Sequence, residues 1–144
     1  MIYDVIIVGA GSNGGTAAYF LAKEGFKVLM IESSTTPGDK CHGATEYAPG
    51  VIFANRPELV ELQLRVIKQI PHLHPGDLGS AHYYYYVNKD NEVVFKSCAK
   101  APGRTGQEES YGLNNQDFVR VLIKEAVNVG AELKTGVTVV DVIR

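Results

Sequence analysis

Val5-Ile6-Ile7-Val8-Gly9-Ala10-Gly11-Ser12-Asn13-Gly14-Gly15, answered a few turns later by Lys27-Val28-Leu29-Met30-Ile31-Glu32, is the stretch on which the fold turns. The β-branched apolar run over residues 2–8 reads as a strand buried on both faces of a parallel sheet. A helix is predicted from Gly14 to about Lys23, with Ala17, Ala18, Leu21 and Ala22 as a small apolar face, and Gly25 breaks it. Residues 27–31 form a second apolar strand closed by Glu32. Together these make one βαβ unit of about 30 residues. Gly9, Gly11 and Gly14 stand in G-x-G-x-x-G spacing directly after the strand and before the helix, the context that gives this motif its meaning. Gly9 allows a tight turn, Gly11 lets the backbone approach a pyrophosphate, and Gly14 lets the helix pack close to the strand. Phosphates would lie at the helix N-terminus, where free N–H groups and the macrodipole favour negative charge. Glu32, 18 residues beyond Gly14, can accept the hydroxyls of an adenosine ribose and would repel a 2′-phosphate. The pattern predicts a dinucleotide site, and by itself suits FAD and NAD equally.

Composition narrows the setting. The chain has 144 residues, 14 Lys+Arg against 16 Asp+Glu, and 45% hydrophobic content, as expected of one soluble α/β domain. A net charge of −2 and the lack of a Lys/Arg cluster exclude a basic nucleic-acid footprint. No apolar run is long enough to span a membrane. Asp4 interrupts the first apolar stretch and no positive segment precedes it, unlike a signal peptide. Two cysteines, Cys41 and Cys98, give no disulfide framework and suit a reducing, cytoplasmic compartment.

Beyond Glu32, residues 33–55 read as loop, punctuated by Pro37-Gly38, Gly43 and Pro49-Gly50. Pro57 opens a helix to about Ile70, whose apolar face is wider than a surface helix needs, and Pro71 ends it. Residues 82–87 and 92–95 predict a hairpin, residues 98–112 another loop. Asn114 or Asn115 caps a helix to about Val129, and short strands are predicted at 131–134 and 137–143. The order gives an α/β, Rossmann-like βαβ unit in a parallel sheet, carrying an inserted helix plus β-hairpin. Residues 45–112 are taken as that insertion, contributing to the substrate region. The tyrosines at 83–86 can pack a core on alternate positions or line an apolar cavity. His72 and His74, with Asp77 and His82 nearby, fall in a Pro-flanked turn without zinc-ligand spacing, so no metal site is predicted.

The loop after Glu32, Pro37-Gly38-Asp39-Lys40-Cys41-His42-Gly43-Ala44, places a thiol in a glycine-flanked segment just beyond the ribose position. With Tyr3-Asp4-Val5-Ile6-Ile7-Val8-Gly9-Ala10-Gly11 and the later Phe118 to Ile143 region, this loop resembles the geranylgeranyl reductase family of FAD-dependent oxidoreductases, relatives of the FixC-like and electron-transfer-flavoprotein dehydrogenases. The resemblance spans nearly the whole chain, and Gly38-Asp39-Lys40-Cys41 is its more specific part.

The resemblance implies non-covalent FAD and reduction of a prenyl-lipid or similar apolar substrate by hydride from reduced flavin. Carried over by position, Gly9, Gly11, Ser12, Asn13 and Gly14 would surround the pyrophosphate and Glu32 would hold the ribose. Cys41, His42 and Ala44 would lie along the flavin, and Val139 would offer backbone contact near the adenine. Asn115 stands where family members often carry an Arg on the flavin side; Ser12-Asn13 replaces their usual Pro-Ala, and His42 a small residue. Cys41 is the catalytic candidate, as proton donor or redox sensor, against a plain space-filling role. Partners implied are a lipid-like substrate and an electron-donor protein or NAD(P)H, with peripheral membrane contact but no transmembrane segment. The family's second half supplies the rest of the flavin and substrate enclosure, so the chain is expected to be the N-terminal part of a longer flavoprotein, binding FAD weakly and turning over little alone. Two other chemistries share the motif: a flavin-dependent hydroxylase or quinone-linked dehydrogenase, and a non-catalytic nucleotide-binding module.

Overall fold

The computed structural model describes residues 2–47, 53, 55–71, 74–75, 82–99 and 111–143, with backbone alone at 44–47, 74–75, 82–86 and 95–99. The opening unit forms as its sequence requires. Strand β1 (Val5–Val8) leads into helix α1 (Ser12–Lys23) and returns as strand β2 (Val28–Ile31), parallel to β1 with Val5 opposite Val28 and Val8 opposite Ile31. Helix α1 starts two residues earlier than predicted, since Ser12 and Asn13 already turn helically behind the Gly11 cap.

The chain then leaves this sheet. Strand β3 (Ala44–Tyr47) arises where a loop was predicted, because it finds an antiparallel partner far along the chain in β7 (Tyr111–Asn114). Between them lie helix α2 (Pro57–Ile67), the short β4 (His74–Pro75) on the other side of β7, and a separate hairpin of β5 (His82–Val87) and β6 (Val93–Ala99). Asn114 ends β7 and caps helix α3 (Asn115–Asn128), its side chain accepting from the Gln116 N–H at 2.8 Å. Strand β8 (Glu132–Lys134) closes the parallel sheet on the far side of β2, giving the order β1-β2-β8.

Two expectations give way. Strand β1 is covered on one face only among the described residues: Val5 and Ile7 pack against the core, whereas Ile6 and Val8 are 56% and 63% exposed. The predicted strand over 137–143 does not form. Its alternating valines meet no ladder partner among the described residues, and Val140, Val142 and Ile143 face outward. The tyrosine face of β5 and the turn residues His72 and Asp77 lie outside the described side chains.

The core sits where α1 and α3 cross on the sheet. Met30, Ala18, Leu122 and Ala126 are fully buried there, and Leu62, Val66 and Ile67 of α2 pack onto the same mass. The wide apolar face of α2 is thereby spent on α3. Arg65 ties the three helices, bonding the Tyr19 hydroxyl at 3.1 Å and Glu61 at 2.7 Å, with Glu125 at 3.9 Å. Leu122 also packs where any side chain on Gly15 would intrude, so the crossing has no slack. Leu122→Ala is therefore expected to cost about 2–5 kcal/mol, read as a lower midpoint in urea unfolding.

Candidate functional site

The turn between β1 and α1 is built from absent side chains. Gly9 has φ +98°, a conformation other residues rarely adopt, and its amide donates to the Ile31 carbonyl at 2.8 Å. A Cβ on Gly14 would collide with the Gly9 carbonyl and crowd the Ile7 side chain, so the helix approaches the strand as closely as the backbones permit. A Cβ on Gly11 would meet nothing within 4 Å. Helix α1 begins there with no side-chain cap and no acidic residue in its first turn. Its first N–H groups, at Ser12 and Asn13, thus open beside empty space with the positive end of the macrodipole behind them.

Glu32 leaves the end of β2 beside this turn. One carboxylate oxygen, Oε2, accepts from the Ala10 N–H at 2.9 Å; the other, Oε1, accepts from the Ser34 N–H at 2.8 Å and the Ser33 hydroxyl at 3.2 Å. The Ser34 amide foremost holds the carboxyl below its ordinary range. Partial burial pushes the other way, and the Ala10 amide and Ser33 hydroxyl add to the lowering. Oε2, with one donor, keeps acceptor capacity for a further hydroxyl, whereas Oε1 is already filled by two. The segment after β8 lies alongside, the Gly136 and Val137 amides donating to the Ser34 and Glu32 carbonyls at 2.9 and 3.0 Å. Val139 is half-buried two residues beyond.

The thiol loop is held from helix α3. Gly38 is buried against Gln116 and Val119, Asp39 pairs with Arg120 at 3.1 Å, and the Cys41 amide bonds the Gly38 carbonyl at 2.8 Å. Asn115 works at the far end of the loop, its Nδ2 donating to the His42 carbonyl at 3.3 Å and its backbone amide to the Gly43 carbonyl at 3.2 Å. Cys41 is a free, half-buried thiol packed against the core, and His42 is exposed. Ala44 opens β3 opposite Asn114. Cys41, His42, Ala44 and Asn115 are thus brought together, with Asn115 gripping the loop backbone.

The sequence reading missed a cleft of about 330 Å³ beside the α1 N-terminus, lined by Ser12, Asn13, Thr16, Ala17, Phe53, Leu59, Gln63 and Phe118. The available signal was Gln63, a polar residue flanked on α2 by buried Leu62 and Val66. Among the described residues, no group of three His, Cys, Asp or Glu is placed to hold a metal.

Comparison with known proteins follows the same lines. The model of the Thi4 family matches residues 1–70. Protein FixC of Salmonella typhi is 29% identical over 143 residues, covering 99% of this chain and 31% of its own length. Digeranylgeranylglycerophospholipid reductase 2 of Methanococcoides burtonii is 32% identical over 143 residues, covering 98% of this chain and 30% of its own. The chain therefore spans about a third of the length of these relatives. In fold, a flavoprotein/dehydrogenase from Cytophaga hutchinsonii matches 96% of this chain, at TM-score 0.63, 20% identity and 31% of that protein. Halogenase PltM, solved with phloroglucinol and FAD, matches 94% of it, at TM-score 0.59, 19% identity and 28% of that protein. Both share the α/β fold of this chain.

Because the Glu32 carboxyl is lowered in the folded state, its contribution to stability is complete above the unfolded carboxylate value of about 4.3 and is lost as pH falls through the lower folded value. The stability gap between the native chain and Glu32→Gln is accordingly expected to shrink below about pH 4.3. Urea titrations at stepped pH check this; a gap that stays constant to lower pH would refute it.

Proposed function

We propose, for a chain that is FixC-like and geranylgeranyl reductase-like in sequence and flavoprotein-like in fold, that it holds the nucleotide end of FAD in an oxidoreductase. The observation that carries the reading is the uncapped start of α1 at Gly11, open to a ligand and lacking any acid of its own, beside a bridged, half-buried Glu32. Oriented N–H groups without an internal anion suit a diphosphate, and the carboxylate suits a ribose with free hydroxyls. FAD, when bound, supplies hydride chemistry through its ring system.

The chain's own residues divide the remaining work. Gly9 to Gly14 bind the diphosphate through backbone amides, and Ser12-Asn13 serve as well as Pro-Ala because the contacts are main-chain. Glu32 orients the ribose, and Val139 offers backbone beside the adenine. Asn115 and the Asp39–Arg120 pair fix the loop that carries Cys41, His42 and Ala44 along the flavin. Cys41 then stands as the candidate to hold or deliver a proton at its Sγ. The substrate is an apolar, prenyl-like molecule, a reading supported by the reductase relative from Methanococcoides burtonii. Electrons reach the flavin from a donor protein or NAD(P)H.

Titration of the chain with FAD, followed by flavin fluorescence, is expected to show saturable binding. Glu32→Arg is expected to weaken it by at least about tenfold while circular dichroism stays native. Unchanged affinity would place the ribose elsewhere, and absence of binding would sink the cofactor assignment. Bound FAD is also expected to slow alkylation of Cys41 by iodoacetamide, mapped by peptide mass spectrometry; an unaffected rate would remove Cys41 from the flavin's side.

A further inference from the structure

Lys40 is the one Lys or Arg between Glu32 and Ala44, and the cofactor reading gives it no task. Its place follows from the loop. Gly38 turns the chain back at φ +84°, and the Asp39 amide bonds the Thr36 carbonyl at 3.4 Å while the Cys41 amide bonds the Gly38 carbonyl at 2.8 Å. Lys40 is thereby returned to the start of the loop. There its Nζ donates to the Ser33 hydroxyl at 2.7 Å, its one hydrogen bond among the described residues. An ammonium has only protons to offer, so the Ser33 oxygen accepts from it and turns its own proton to Glu32 Oε1 at 3.2 Å. With the Ser34 amide at 2.8 Å, Oε1 then holds two donors, whereas Oε2 holds the Ala10 amide alone. The acid is asymmetric, and the asymmetry is set from the thiol loop.

We propose that Ser33 and Lys40 are positioning residues for Glu32: they close Oε1, so that the carboxylate takes one ribose hydroxyl, through Oε2, where an unencumbered carboxylate would accept both. The proposal rests on the nucleotide reading of Glu32 and deepens it. Ser33 and Lys40 are exposed, so their bond adds little to stability, and its consequence lies in which oxygen stays open. Few other charges bear on the acid. The β1–α1 turn over residues 9–15 and the segment over 135–139 contain none, and Asp39 pairs with Arg120 at 3.1 Å. Lys134 of β8 meets Glu32 through backbone, its carbonyl accepting the Glu32 amide at 2.8 Å.

The test titrates the chain with ADP, 2′-deoxy-ADP and 3′-deoxy-ADP by isothermal calorimetry, at a pH where Glu32 is ionised. One of the two deoxy compounds is expected to bind at least about tenfold more weakly than ADP and the other within about twofold, since one hydroxyl bonds the charged acid. Ser33→Ala, which reopens Oε1, is expected to weaken both deoxy compounds relative to ADP, and Lys40→Met to act in the same direction. Lys40→Arg, which keeps a donor for Ser33, is expected to retain the native pattern. The Glu32 carboxyl, followed by carbon NMR, is expected to titrate higher in Ser33→Ala and Lys40→Met than in the native chain, because the Ser33 hydroxyl is one of the groups that hold it low. Urea midpoints at neutral pH are expected to stay near native. A native chain that loses affinity equally for both deoxy compounds, or for neither, overturns the proposal. So does a native pattern that persists in Ser33→Ala or in Lys40→Met. In each of those cases ADP still binds and the nucleotide reading stands; a chain that binds neither ADP nor FAD ends both.

Discussion

Helix α1 can sit where it does only because Gly14 presents no side chain to the Gly9 carbonyl. That contact sets the distance between the first helix and the first strand, and three consequences follow from it. The N-terminal amides of α1 are brought over the end of the sheet, where they face outward without a cap. Ala10 is fully buried beneath them, with its amide turned to Glu32 at 2.9 Å. The outer face of α1 is left free to take α3 through Gly15, which packs against Leu122 and Ile123. The same economy of side chains thus shapes the uncapped end of the helix and the centre of the core.

Glu32 does for the loops what Gly14 does for the helix. Its two oxygens join the end of β1, through Ala10, to the start of the loop after β2, through Ser34 and Ser33. The carboxylate therefore orders its own surroundings before any ligand arrives, which is the kind of preorganisation that lowers the entropic cost of binding. The loop beyond it is then anchored at Gly38, Asp39 and the His42 and Gly43 carbonyls, each by a residue of α3. Helix α1, through Gly15, and the thiol loop share α3 as a common support.

The segment between β3 and β7 has its own logic. Those two strands pair across more than sixty intervening residues, Ala44 against Asn114 and Tyr47 against Tyr111, so the excursion leaves and rejoins the βαβ unit at one place. From there α2 is delivered onto α3, and its one buried amide, Gln63, comes to rest next to the opening turn of α1.

Much was legible from the chain alone. The run at residues 5–8, the glycine spacing and the acid at 32 specify a βαβ unit because each acts locally: β-branched residues favour strand, glycines permit the turn and the close approach, and a carboxylate at the strand end meets the amides beside it. Helix α3 was readable for the same reason, with Asn114 as its cap and apolar residues at helical spacing. Strands β3 and β7 were not, since Ala44, Glu46, Gly112 and Asn114 are poor strand formers and the pairing depends on a partner far away in sequence. The valines after β8 misled in the opposite sense, offering alternation that, beyond the bond from the Val137 amide to the Glu32 carbonyl, joins no strand ladder among the described residues. The grip of Asn115 on the thiol loop and the seating of Gln63 in a cleft were likewise decided by tertiary contact. Local sequence fixes the dihedral angles and periodicity of an element, whereas the partner that satisfies its hydrogen bonds and covers its faces is chosen only when distant segments fold together.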